Sequence, residues 1–149
     1  MKSWQLVNLV FSIAVSGMFW GPWLALSRSM PAFEPEFFLA VVRRLNRNMA
    51  PVMTVLMPGA LLSALPVLVV SYGDHPGTFG LTLAGLALFV VALLVTMLVE
   101  VPIVRRIDTW TVSTLPDDWQ RLRDRWGTYH LVRIATSVAG LGALLVATV

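Results

Sequence analysis

Four long apolar runs constrain this chain more than any other feature. They cover residues 4–26, 49–70, 79–99 and 129–149. Trp4 to Leu26 carries no charged residue, and a helix needs about 20 apolar residues to cross the hydrocarbon core of a bilayer. Inside lipid every backbone polar group must be satisfied within the protein, which leaves helices or closed barrels. Runs of this length are helical in period and far too long for strands. The sequence therefore predicts an all-α fold, an integral membrane four-helix bundle forming a single transmembrane domain over residues 1–149. It adds an amphipathic segment before helix 2 and a cytoplasmic helical extension before helix 4. The charged fraction of 13% agrees, since soluble domains carry about 25%.

The first run resembles a signal peptide only in following Lys2. It exceeds the ~7–15 apolar residues of a signal h-region, so a retained helix is expected. The chain has no Cys, which excludes disulfides, thiolate metal sites and Cys nucleophiles. A pI of about 10.2 suggests nucleic acid, but the net charge is only +3 and the Arg residues flank the apolar runs. That is the pattern of a topology signal, and no nucleic-acid partner is expected.

Topology follows from those Arg residues. Arg28, Arg43, Arg44 and Arg47 lie between runs one and two; Arg105, Arg106, Arg121, Arg123 and Arg125 lie between runs three and four. The opposite side has only Lys2. The positive-inside rule then puts both Arg-rich loops in the cytoplasm and both termini outside, in a membrane expected to be the bacterial inner membrane.

Local signals shape the helices. Residues 36–48 are amphipathic, either as an interfacial helix or as the first turns of the second membrane helix. Asn46 lies near its membrane end, either in headgroup contact or facing a pocket between helices. Pro51, Pro58 and Pro66 remove helix N–H donors and suggest a curved second helix with room for a cavity. Gly17 with Gly21, Gly80 with Ala84, and Ala135, Ala139, Ala143 and Ala147 make small-residue ridges suited to close helix packing. Asp117 or Asp118 is placed to cap the last helix.

The polar residues concentrate between Glu100 and Arg133. Arg123, Trp126, His130 and Arg133 are spaced three, four and three apart, so they form one stripe if the helix is continuous. Ionisable groups within a membrane segment normally face the bundle interior or a wet cavity. Glu100 ends the third run at a matching depth. His130 is a candidate proton acceptor, Arg133 a candidate stabiliser of a developing oxyanion, and Glu100 a candidate orienting charge. Trp110, Trp119 and Trp126 are candidate walls for a flat aromatic ligand, or else interfacial anchors. Glu100 with Arg133 reads equally as an ion pair clamping two helices. Glu100 and His130 supply two metal ligands, and the topology puts His75 on the other side; the spacing does not support an iron facial triad within one subunit, no cofactor is predicted, and a metal using His130 and Glu100 stays an open alternative.

Val101-Pro102-Ile103 following the third run, Trp110, and the pattern W-x(6)-W-x(3)-H-x(2)-R formed by Trp119, Trp126, His130 and Arg133 resemble the anthrone oxygenase-like family. These are small four-helix membrane proteins. The resemblance implies a turn at Val101-Pro102-Ile103. It also implies that some members oxidise anthrones to anthraquinones with molecular oxygen and no organic cofactor. Such members tend to carry Asn where this chain has Glu100. Two functions follow as expectations. One is a membrane oxidoreductase acting with oxygen on an aromatic or quinol-like lipophilic substrate. The other is a non-catalytic protein that binds a lipid or quinone, or assembles with itself or a partner. Membrane lipid, a lipophilic small molecule and a second copy of the chain are the expected partners.

Overall fold

A computed structural model describes residues 1–149 as helices joined by short connections. Helix α1 is Lys2–Leu26 and α2 is Pro35–Ser71, with a 3-10 turn at Met30–Ala32 between them. Helix α3, Pro76–Val95, continues through a π-helical turn, Thr96–Glu100, into α4, Val101–Asp108. Helix α5 is Trp119–Val146. Four rods are long and apolar enough to cross a membrane: α1, α2, the continuous segment Pro76–Asp108, and α5. The chain is a four-helix membrane protein.

The amphipathic segment is the first part of α2, not a separate helix. Thirty-seven residues in one helix extend about 55 Å, well beyond a hydrocarbon core of about 30 Å. The rod persists through Pro51, Pro58 and Pro66. Val101-Pro102-Ile103 is likewise helical rather than a turn. Pro102 lacks the N–H that would extend the helical ladder, yet the rod Pro76–Asp108 continues through it.

The overhanging ends build a second core. Phe38, Leu39 and Val42 of α2 pack with Ile103 and Ile107 of α4, Trp110, and Trp119 at the start of α5. The first core lies deeper, around Val15, Phe19, Met57, Phe89, Ala92 and Leu144. Arg43 ties the cap together: its guanidinium donates to the Trp110 carbonyl and lies 4.0 Å from Asp108. Asp118 is at the N-cap position of α5 but makes no side-chain capping bond.

Within the bundle α3 packs most closely on α5, and α1 on α2. The residues that permit the α3–α5 approach are Gly85 and Gly140. A Cβ at Gly85 would lie 2.7 Å from the Leu144 side chain, and one at Gly140 would lie 3.2 Å from the Gly85 carbonyl. Most of the ridge residues expected from sequence face elsewhere. Gly17, Gly21 and Gly80 have nothing within 4 Å of an added Cβ, and Ala84, Ala135 and Ala139 are exposed. Ala143 is half-buried, and only Ala147 at the end of the ridge is buried, against α1. The spacing suits a ridge, but the helix rotation turns most of it away from the neighbouring helix.

Helix α1 instead attaches by polar side chains. Gln5, Asn8, Ser12 and Ser16 are buried on one face. Asn8 Nδ2 donates to the Ala60 carbonyl at 2.8 Å and Gln5 Nε2 donates to the Ala147 carbonyl at 2.9 Å. In an apolar medium such bonds hold helices together where burial of apolar surface contributes little.

Candidate functional site

Between the two cores lies a cavity of about 1020 Å³. Its walls come from α1, the connection to α2, α2, the end of α3, the π turn with α4, and the first half of α5. Most of the lining is apolar. Six of the seven methionines line it: Met18, Met30, Met49, Met53, Met57 and Met97. Met49, Met53 and Met57 recur every four residues, so they share a face of α2. Unbranched thioether chains adapt to ligand shape and favour contact with aromatic rings.

One wall is polar, and Arg133 is its centre. Its Nη1 donates to Thr96 Oγ1 at 3.3 Å and its Nη2 to Glu100 Oε2 at 3.1 Å. Nη2 also contacts His130 Nδ1. The guanidinium stands 4.8 Å from the Phe19 ring centroid, in a cation–π position. Thr96 and Glu100 are four apart, the spacing that shares one helix face, and both stand in the π turn opposite Arg133.

The hydrogen bonds also assign the His130 tautomer. Arginine only donates, so Nδ1 must accept. The ring proton is then on Nε2, which donates to the Phe19 carbonyl at 2.7 Å. Trp126 covers the imidazole, with ring centroids 6.1 Å apart. Two buried polar atoms of this wall have no partner, Glu100 Oε1 and Arg133 Nε. One accepts and one donates. A buried polar atom without a partner is costly, and such an atom in a cavity wall is a place for a ligand's polar group.

The residues singled out from sequence divide into two groups. Glu100, His130, Arg133, Trp126 and Asn46 all line the cavity. Trp110 and Trp119 do not; they are buried in the cap core, where Trp119 packs on Phe38 with ring centroids 5.2 Å apart. Arg123 also lines the cavity, paired with Asp124 at 3.0 Å and placed 5.4 Å from the Trp119 ring. Sequence reasoning missed Thr96, the Phe19 carbonyl and the methionine wall. Only the methionines left a signal, in the 49/53/57 spacing.

A metal does not fit between Glu100 and His130, because the Arg133 guanidinium bridges them and already supplies the positive charge. No three His, Cys, Asp or Glu side chains cluster anywhere in the chain.

The family model described as anthrone oxygenase matches residues 39–143. The chain belongs to the anthrone oxygenase family. The match takes in most of α2, all of α3 and α4 and most of α5, and with them Glu100, His130 and Arg133. No curated protein and no solved structure matches the chain.

Proposed function

We propose that this family member is a membrane oxidoreductase that passes electrons from a lipophilic aromatic substrate with an acidic C–H bond to molecular oxygen. The observation that carries the reading is Arg133 in the wall of a large apolar cavity, flanked by a carboxylate and an imidazole, with one donor and one acceptor still free. The family membership supports the same class of reaction.

The chemistry asked of these groups is modest. A methylene flanked by aromatic rings and a carbonyl loses a proton to give an enolate. Arg133 is placed to hold the enolate oxygen as its charge develops, and Glu100 balances the guanidinium. His130 Nδ1 is the proton acceptor once Arg133 turns its donor from the imidazole to the substrate oxygen. The carbanion then gives its electrons to oxygen and forms a C–OOH group. Loss of the second C–H proton breaks the O–O bond and releases water. In balance, the methylene and one molecule of oxygen become a ketone and one molecule of water. The substrate reaches the cavity from the lipid phase. The reading places the Arg-rich cap in the cytoplasm and both termini outside, from the distribution of Arg.

Oxygen uptake by the purified protein in nanodiscs, with anthrone as probe, tests this. Equimolar consumption of oxygen and formation of ketone, lost in His130→Ala and in Arg133→Gln paired with Glu100→Gln, with folding intact, is the expected result. Uptake unchanged in both variants would overturn the assignment.

One observation favours a second reading, a binding protein without turnover. Both ring nitrogens of His130 are already hydrogen-bonded, as in a structural histidine. Retention of a quinone or lipid by the wild type, without oxygen uptake, is what that reading expects.

A further inference from the structure

A second hollow of about 340 Å³ lies apart from the central cavity, between α4 and the start of α5. No residue is shared between the two. Its apolar lining includes Leu98, Pro102, Ile103 and Leu122, and two arginines from different helices join them, Arg106 of α4 and Arg125 of α5.

Neither arginine has an acidic partner. The chain's three ion pairs use Arg43, Arg123 and Arg133. The acidic residues nearest in sequence are already engaged, Asp108 with Arg43 and Asp124 with Arg123. Arg125 rests over the Tyr129 ring at 5.7 Å, which restricts its side chain and leaves its donors free.

The depth of the hollow matters as much as its charge. The rod Pro76–Asp108 has 33 residues, about 50 Å of helix. About 20 residues from its start complete the hydrocarbon crossing, so Leu98 stands near the end of that crossing. Arg106, eight residues further along, stands about 12 Å beyond it, at headgroup depth. Leu98 is 71% exposed, so the apolar side of the hollow is open to the bilayer.

We propose that this hollow binds one anionic phospholipid, its phosphate held between Arg106 and Arg125 and an acyl chain laid against Leu98 and Leu122. Two unpaired guanidiniums alone would suit any anion. The lipid-facing apolar floor beneath them suits an anion that carries a hydrocarbon chain. Basic pockets between membrane helices recognise such headgroups in this way. The site does not depend on whether the central cavity is catalytic.

Native mass spectrometry of the full chain, released from nanodiscs of mixed phosphatidylglycerol and phosphatidylcholine, tests the proposal. Wild type should retain phosphatidylglycerol selectively. Arg106→Gln/Arg125→Gln should retain it about 30-fold less, from the loss of two headgroup-pairing charges. Arg44→Gln/Arg121→Gln makes the same charge change outside the hollow and should behave as wild type. Equal loss in both double variants would mean diffuse surface charge, and no selectivity in wild type would mean no site; either overturns the proposal. Leu98→Trp keeps both guanidiniums and fills the apolar floor, so it should also release the lipid. Full retention in Leu98→Trp, or complete displacement by millimolar inorganic phosphate, would mean a simple anion site and likewise overturns it. Circular dichroism on each variant confirms that loss of lipid is not loss of fold.

Discussion

Arg133 Nη2 lies 3.1 Å from Glu100 Oε2 across the gap between α5 and the π turn, with the carboxylate side chain only 3% exposed. This pair links the two helices at the level of the cavity. It also keeps two charges in an environment where neither is stable alone.

Removing one partner should therefore be costly. Glu100→Ala is expected to destabilise the protein by on the order of 3 kcal/mol, because it leaves a buried guanidinium unbalanced. Replacing both, as in Glu100→Leu with Arg133→Met, should recover most of that stability and none of the oxygen uptake. Thermal unfolding in detergent with oxygen-electrode measurements separates the two effects. Equal loss of stability in the single and double variants would show that the pair is not the source.

His130 is expected to respond differently. His130→Gln can keep a donor to the Phe19 carbonyl and an acceptor for Arg133, so the fold should survive. Turnover should fall by on the order of 10²–10⁴, the usual contribution of a positioned acid–base group. Turnover close to wild type in His130→Gln would leave the imidazole a structural role.

The two tryptophans of the W-x(6)-W pattern should separate. Trp119 is buried against Phe38, and Trp119→Ala should destabilise the cap by about 3–5 kcal/mol. Trp126 lines the cavity beside His130, so Trp126→Ala should weaken ligand binding more than it lowers the unfolding temperature. Titration with a fluorescent aromatic ligand, beside thermal melts, reads both.

Glycine substitutions test the helix packing. Gly85→Leu places a side chain into Leu144 and should disrupt the α3–α5 contact, whereas Gly17→Leu meets open space and should leave the monomer's stability within about 0.5 kcal/mol. If Gly17→Leu lowers the melting temperature in detergent as much as Gly85→Leu does, the packing is not as described.

Much of the architecture was legible because lipid leaves few choices. Four long apolar runs had to become four helices, and the Arg123–Trp126–His130–Arg133 spacing had to become one stripe once α5 was continuous. Helix rotation was not legible. Gly17 with Gly21 and Gly85 with Gly140 are both plausible small-residue contacts; only the three-dimensional packing shows that the second pair faces another helix. Trp110 and Trp119 read as ligand walls or interfacial anchors, and not as core, because interfacial tryptophans and core tryptophans have the same local sequence. The cap core that holds them depends on the overhang of α2, fixed by contacts between residues far apart in the chain. Thr96 was missed although it stands four residues before Glu100, because a lone threonine in an apolar run is ordinary and only the packing of α5 brings Arg133 to it.

That π turn has a consequence for how the chain tolerates change. A π turn holds one residue more than a regular helix would over the same stretch. It absorbs that residue locally, so the helix beyond keeps its facing. Deleting Met97 should therefore let the rod close up as an ordinary α-helix, with Ile103 and Ile107 still turned to the cap. Deleting a residue elsewhere in the rod would instead rotate everything after it by about 100°. The first deletion also brings Thr96 and Glu100 from four apart to three apart, which keeps them on one face but changes the angle at which the two meet Arg133. The geometry of the polar wall can thus be altered by one residue while the cap beyond it keeps its facing.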